Sequence, residues 1–297
     1  MSKNIRVVAD GFTYLEGPRW HEGRLWMADF YTHAVYSVLP DGQDLRREVE
    51  VPTQPSGLGW LPDGRLLIVS MRDRKMLRRE PDGSLVEHAD LSAHVGGHPN
   101  DMVVDAQGRA YVGEFGFDLM GGAAFKTANL LRVDPDGSVQ VVASELYFPN
   151  GSVITPDGTL LVNETFGNRI TAFDIGADGS LENRRIWAQF APTSTETDVA
   201  KMVADAVIGP DGCGLDAEGA LWVADAIGGR VVRVREGGEI VDEIKVDQGV
   251  FACMLGGPDG RTLFMCEAPD FHEEARKAAR ESRLTAVEVA VGHAGRP

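Results

Sequence analysis

Four polar residues interrupt strand-like sequence where a buried sheet calls for apolar side chains. They are Glu16 in LEGPRW, Asn100 in HPNDMVVD, Asn150 in FPNGSVITPDG and Asp211 in GPDGCGLD. Counted back from the glycine of the following turn, Asn100, Asn150 and Asp211 each stand eight residues ahead, of Gly108, Gly158 and Gly219. Glu16 stands seven ahead of Gly23, and the shared register of Trp20 and Trp60 shows that this turn is one residue shorter. Two further copies of the pattern place Ser56 and Ala252 at the same address. If that address faces a common axis, two carboxylates and two amides converge there. Alone they are a costly set, because like charges repel and burial disfavours ionisation. A divalent cation removes the conflict. Oxygen donors without thiolate or imidazole suit a hard ion, calcium first, with magnesium, manganese and zinc as alternatives.

The elements that position these residues follow from a repeat. A glycine turn followed by a short alternating strand recurs as HEGRLWMAD, PDGRLLIVS, AQGRAYVGE, PDGTLLVNE, AEGALWVAD and PDGRTLFMC. The anchoring glycines, Gly23, Gly64, Gly108, Gly158, Gly219 and Gly260, are 41, 44, 50, 61 and 41 residues apart, the period of propeller blades. Strand signals on either side give about four strands per repeat. The expected fold is therefore all-β, a six-bladed propeller forming one domain over residues 1–297. In such a fold the first strand of each blade lines the central channel. Residues 5–10, IRVVAD, precede the first complete unit and are expected to pair with the last blade, closing the ring and removing its free edges. The glycine after Glu16, Asn150 and Asp211 suggests a backbone that bends where it enters the channel. The one clear helix signal, rich in Ala, Glu and Arg, covers residues 269–283.

Composition narrows the function. A formal net charge of -16 argues against nucleic acid, whose phosphates would be repelled. Neither the start of the chain nor any later stretch is apolar enough for a signal peptide or a membrane span, which suggests a cytoplasmic protein without a membrane partner. Cys213, Cys253 and Cys266 are widely spaced and read as buried thiols in a reducing compartment. No GxSxG nucleophile motif and no dinucleotide-binding strand–GxGxxG–helix context is present. Nothing in the sequence fixes the oligomeric state.

The stretches LEGPRW, HPNDMVVDAQGRAYVGEFGFD, FPNGSVITPDG and GPDGCGLDAEGALWVADAIGGRV resemble the SMP-30/gluconolactonase/luciferin-regenerating-enzyme family over nearly the whole chain. The resemblance implies a six-bladed propeller holding a divalent cation, often calcium, and hydrolysis of a lactone or related ester. It implies Glu16, Asn150 and Asp211 as metal ligands and Asn100 as a substrate contact beside the metal. The chain departs from the sugar-lactonase pattern in carrying His98 where an arginine is common, two residues before Asn100, and it has Asp118 in the following loop. Loss of a planar guanidinium weakens recognition of a hydroxyl array, so a less hydroxylated or more aromatic lactone is expected. Asp211 is the expected base, with Glu16 and Asp118 as alternatives, and His98 a candidate acid, base or hydrogen-bond donor. The long insertions at 115–129, 188–210 and 268–283 are expected to wall the ligand face. Two other readings are phosphotriester hydrolysis at a similar site and a non-catalytic propeller that binds a ligand or protein.

Overall fold

In a computed structural model, residues 4–295 are described; residues 1–3 and 296–297 of the expected 1–297 domain lie outside the described residues. The described residues form six antiparallel sheets of four strands. Their inner strands are Leu15–His21, Pro55–Trp60, Pro99–Val104, Pro149–Ile154, Pro210–Leu215 and Gly249–Gly256. Each inner strand packs against the next, and the sixth returns to the first, so the sheets form a ring. Five blades run in chain order from inside to outside. The sixth takes its outermost strand, Arg6–Phe12, from the start of the chain, paired with Ser282–Glu288. Closure by the N-terminal strand is thus observed as expected.

The core lies between blades, where alternate residues of neighbouring sheets interdigitate. One cluster joins Val153, Leu161 and Ile170 of blade four to Cys213, Val223 and Val232 of blade five. Cys213, Cys253 and Cys266 are free, buried thiols within this packing.

Each inner strand breaks register just after its entry, between residues 16 and 19, 55 and 58, 99 and 102, 149 and 152, 210 and 213, and 250 and 252. Such irregularities re-aim a side chain relative to the pleat, and here they fall on the polar address. The glycines that follow serve two purposes. Gly17 adopts φ 55°, which suits a residue without Cβ. Gly151 does not; a Cβ there would lie 2.5 Å from the carbonyl oxygen of Asp211 on the adjacent inner strand. Crowding around the axis, more than a bend, explains that second glycine.

Helix is confined to the insertions. The helix α1, Val199–Asp205, was not anticipated; its seven residues are too few to display a period, and Asp198 caps it by accepting the Lys201 N–H at 3.2 Å. The helix α2, Glu273–Ala279, is shorter than the expected 269–283. It stops at Arg280, whose backbone is left-handed (φ 51°), because Ser282, Leu284 and Ala286 are already buried in the third strand of blade six.

Candidate metal centre and active site

Glu16, Asn100, Asn150 and Asp211 are all buried and line one cavity of about 380 Å³ at the end of the ring where the inner strands begin. Asn100 donates from Nδ2 to Asn150 Oδ1 at 3.0 Å and accepts from Ser56 Oγ at 2.8 Å. Asn150 in turn donates to Thr165 Oγ1 at 3.2 Å, and Thr165 donates to the Pro210 carbonyl at 2.9 Å. The amides of blades three and four are thereby held in a chain that reaches blade five. The carboxylates are not so well provided. Glu16 Oε2 accepts the Gly17 N–H at 3.1 Å, and Asp211 Oδ1 is buried with no hydrogen-bond partner.

The electrostatics follow from that shortage. Burial, with the charge of Asp101 added, pushes the Glu16 carboxyl up to about 8, against the pull of the Gly17 N–H and Arg19. Asp211 is raised well above the ordinary carboxylate range, first by burial and then by Glu16 and Asp101, against the pull of the Gly212 N–H and the Asn150 amide. Three residues along the inner strand from Glu16, Arg19 is buried and pairs with Asp101 at 2.7 Å, while also donating to the Pro18 carbonyl at 2.8 Å. Its charge is matched by Asp101, so its pull on Glu16 is outweighed by burial and by Asp101 itself.

Among the described residues no three His, Cys, Asp or Glu side chains cluster as a metal site. The residues that could hold a hard cation are instead two carboxylates and an amide: Glu16, Asp211 and Asn150. The donor set fits, since all the atoms are oxygens and the partnerless Asp211 Oδ1 needs a positive neighbour.

A second set of carboxylates positions this floor. Asp29, Glu114, Glu164 and Asp225 end the second strand of their blades and are fully buried. Asp29 accepts the N–H of Tyr14 at 2.9 Å, Glu164 that of Tyr147 at 2.8 Å, and Asp225 that of Gly209 at 3.0 Å. Glu114 accepts four N–H groups, from Gly96, Gly97, Gly116 and Asn129, at 2.7–3.1 Å. Each clamps the segment that enters its own inner strand, two to four residues ahead of Glu16, Asn100, Asn150 or Asp211. The clue was present in the sequence, because four of the six repeats, those of Glu16, Asn100, Asn150 and Asp211, end in D or E.

Sequence reasoning also missed the walls. Tyr14 and Phe148 stand two residues before Glu16 and Asn150, at the offset of His98 from Asn100, and both line the cavity. Phe30 and Phe115 follow the clamping carboxylates Asp29 and Glu114, and Phe166 follows Glu164 by two; all three line it as well. The rings pack on one another: Phe115 meets Phe148 edge to face at 4.6 Å, and Tyr14 lies tilted against Phe30 and Phe251 at 5.0 Å. All three long insertions contribute, with Leu119 and Met120, Val199 and Val203, and Phe271.

His98 and Asp118 are not among the lining residues. His98 is half-buried with its ring 5.9 Å from that of Phe115, and burial together with Arg74 lowers its pKa, against an opposing effect of Asp118. Asp118 is exposed and accepts the Gly121 N–H at 2.9 Å, which orders the turn carrying Leu119 and Met120.

A closed ring of six four-stranded blades is a six-bladed β-propeller, here with one cavity lined by Glu16, Asn100, Asn150 and Asp211. The chain belongs to the family described as SMP-30/Gluconolactonase/LRE-like region, whose profile matches residues 15–268. It is 29% identical over 273 residues to pentonolactonase XacC of Haloferax volcanii, covering 89% of this chain and 84% of that protein. It is 30% identical over 170 residues to a 6-deoxy-6-sulfogluconolactonase of Pseudomonas putida, a match spanning 56% of this chain and about half (52%) of that relative. In fold it is similar to the calcium-binding protein regucalcin of Agrobacterium tumefaciens, with a TM-score of 0.79, 21% identity and 100% and 97% of the two chains covered. Among the described residues no helix is long and apolar enough to cross a membrane.

Proposed function

We propose that this protein is a metal-dependent hydrolase that opens a lactone, or cleaves a related ester, on the floor of the central cavity. The observation that carries the reading is the buried pair Glu16 and Asp211, with Asp211 Oδ1 partnerless, among the residues that line a ligand-sized cavity together with Asn100 and Asn150. Lactonase relatives support the reaction class, and the likeness to regucalcin is in keeping with calcium.

Glu16, Asn150 and Asp211 would hold the cation, which when bound supplies Lewis-acid polarisation of a substrate carbonyl. Asn100, fixed by Ser56 and Asn150, orients the substrate beside it. Asp211 accepts the proton of the attacking water. The water oxygen forms the new bond to the carbonyl carbon, the ring C–O bond breaks, and the ring oxygen leaves with a proton, so one water is consumed per lactone. The surrounding rings exclude bulk water and strengthen these electrostatic effects. His98 and Asp118 act from outside the lining, His98 through Phe115 and Asp118 through the turn that carries Leu119 and Met120. The three buried thiols fit a reducing, cytoplasmic setting.

The test is proton release from a panel of lactones and aryl esters by chelator-treated protein, before and after reconstitution with calcium, magnesium, manganese or zinc. Restored lactone hydrolysis with at least one ion is expected. Full activity after exhaustive chelation would remove the metal from the account.

A further inference from the structure

The cavity that holds the floor is unusual in what it lacks. Apart from Glu16 and Asp211, no charged side chain lines it, and among the described residues no lysine, arginine or histidine does so. A substrate bearing a carboxylate, sulfonate or phosphate would find no cation besides the metal. Hydroxyl recognition is equally poor. The amides of Asn100 and Asn150 are engaged with each other, with Ser56 and with Thr165, and the Tyr31 hydroxyl donates to the Phe271 carbonyl, which leaves Tyr14 as the lining residue with a hydroxyl to spare. A polyhydroxylated ring would bury several hydroxyls without partners, which a site discriminates against strongly.

The mouth continues the same chemistry. Met120, Val203, Ile227 and Phe271 line the cavity and yet remain 37–44% exposed to solvent. They come from four separate segments of the chain, so their meeting at one rim is not the chance exposure of a single apolar stretch. An apolar wall leads from the acidic floor to the outside.

Resting on the lactone-hydrolase reading, we infer that the substrate is an uncharged lactone whose ring carries an apolar alkyl or aryl substituent long enough to reach this rim. The carbonyl end sits on the floor, and the substituent runs along Phe115, Phe148 and Phe166 toward Met120, Val203 and Phe271. Charged and polyhydroxylated sugar lactones are poor substrates.

The experiment compares three six-membered lactones in saturating calcium: glucono-δ-lactone, δ-valerolactone and δ-decalactone. The expected kcat/KM for δ-decalactone exceeds that for each of the other two by at least tenfold. In Val203→Asp and Phe271→Asp the decalactone-to-valerolactone ratio falls at least fivefold. Calorimetry with the slowly hydrolysed lactams 2-piperidinone and 6-pentyl-2-piperidinone gives a readout independent of turnover, with the pentyl compound expected to bind at least tenfold tighter. Glucono-δ-lactone turned over as well as δ-decalactone would overturn the inference and leave the lactonase standing. Tight binding of the pentyl lactam without hydrolysis of any lactone would support the apolar ligand class and overturn the reaction. Neither lactone turnover nor a preference for the pentyl lactam would overturn both.

Discussion

Asp29 and Glu16 belong to the same blade, are both buried, and differ in what surrounds them. Asp29 accepts hydrogen bonds from the Thr13 and Tyr14 amides and the Thr32 hydroxyl. Glu16 has the N–H of its own neighbour, Gly17. The contrast repeats in the two blades that carry Asn150 and Asp211: Glu164 is gripped by Arg169 through two contacts of 2.8 Å, whereas Asp211 leaves one oxygen without a partner. The outer carboxylates are supplied with donors from within the chain and hold loops. The inner ones are left short, next to each other, at the base of a cavity. A fold does not otherwise retain buried, mutually repelling carboxylates, because neutral replacements would stabilise it. The shortage is what supports the proposed role of the pair.

Exchanging charge for an isosteric amide on each side of this comparison should therefore have opposite consequences. The largest effect is expected for Asp211→Asn, which removes the proposed base and a charge from the ion. Turnover should fall by roughly 10³-fold, while the metal-free variant melts at the same temperature as the metal-free wild type or above it. Steady-state kinetics with calcium titration, alongside thermal melts in chelator, separate the two; wild-type turnover in Asp211→Asn removes that residue from the chemistry. On the other side, Glu164→Gln leaves Arg169 without its carboxylate and weakens the clamp on Tyr147. A loss of about 3 kcal/mol is expected, a drop of roughly 6 °C or more in melting temperature, in metal-free and metal-loaded protein alike. If Glu164→Gln instead spared stability and cost calcium affinity alone, the division between the two sets would collapse.

The same division explains what could be read without coordinates. Inner-strand polar residues stood out because Asn150 and Asp211 open strands that call for apolar side chains, and the fixed offset to a turn glycine gave them one address. The repeat spacing likewise carried the fold and its closure by residues 5–10. The clamps were harder to see, since an acidic residue ending a strand looks like solvent-facing charge; only the hydrogen bonds of Glu114 to four backbone amides reveal its role. The walls were obscured for another reason. Phe115, Phe166 and Phe251 read as core by hydrophobicity, and whether a ring faces its neighbours or a cavity depends on loop conformation. α1 was too short to register, and α2 was overestimated because the run of Ala, Glu and Arg continues into a strand.

A smaller effect is expected at His98, where the family resemblance and its place two residues before Asn100 suggested a substrate contact. Its ring lies against Phe115 rather than in the lining, and burial lowers its pKa, which favours the neutral imidazole. His98→Gln should change kcat by less than about threefold and leave the pH–rate profile in place, since the ring holds Phe115 and transfers no proton. A wild-type inflection below pH 6.5 that disappears in His98→Gln would restore it to the chemistry.

The central claim, that Glu16 and Asp211 are left short because they hold a divalent cation, is tested most directly by melting the metal-free and calcium-saturated protein across pH. In the metal-free state Glu16 titrates near 8 instead of at the ordinary 4.5, so between those values the folded chain keeps a proton that the unfolded chain has lost. Stability of the metal-free protein should then fall as pH rises through this window. Calcium binds the ionised form, so the stabilisation it adds grows over the same range; at a hundredfold excess over Kd it is worth about 2.7 kcal/mol. The account predicts melting curves that lie close together near pH 5 and separate by several degrees near pH 8, with the calcium form higher. Coincident curves at pH 8, with and without calcium, would contradict it.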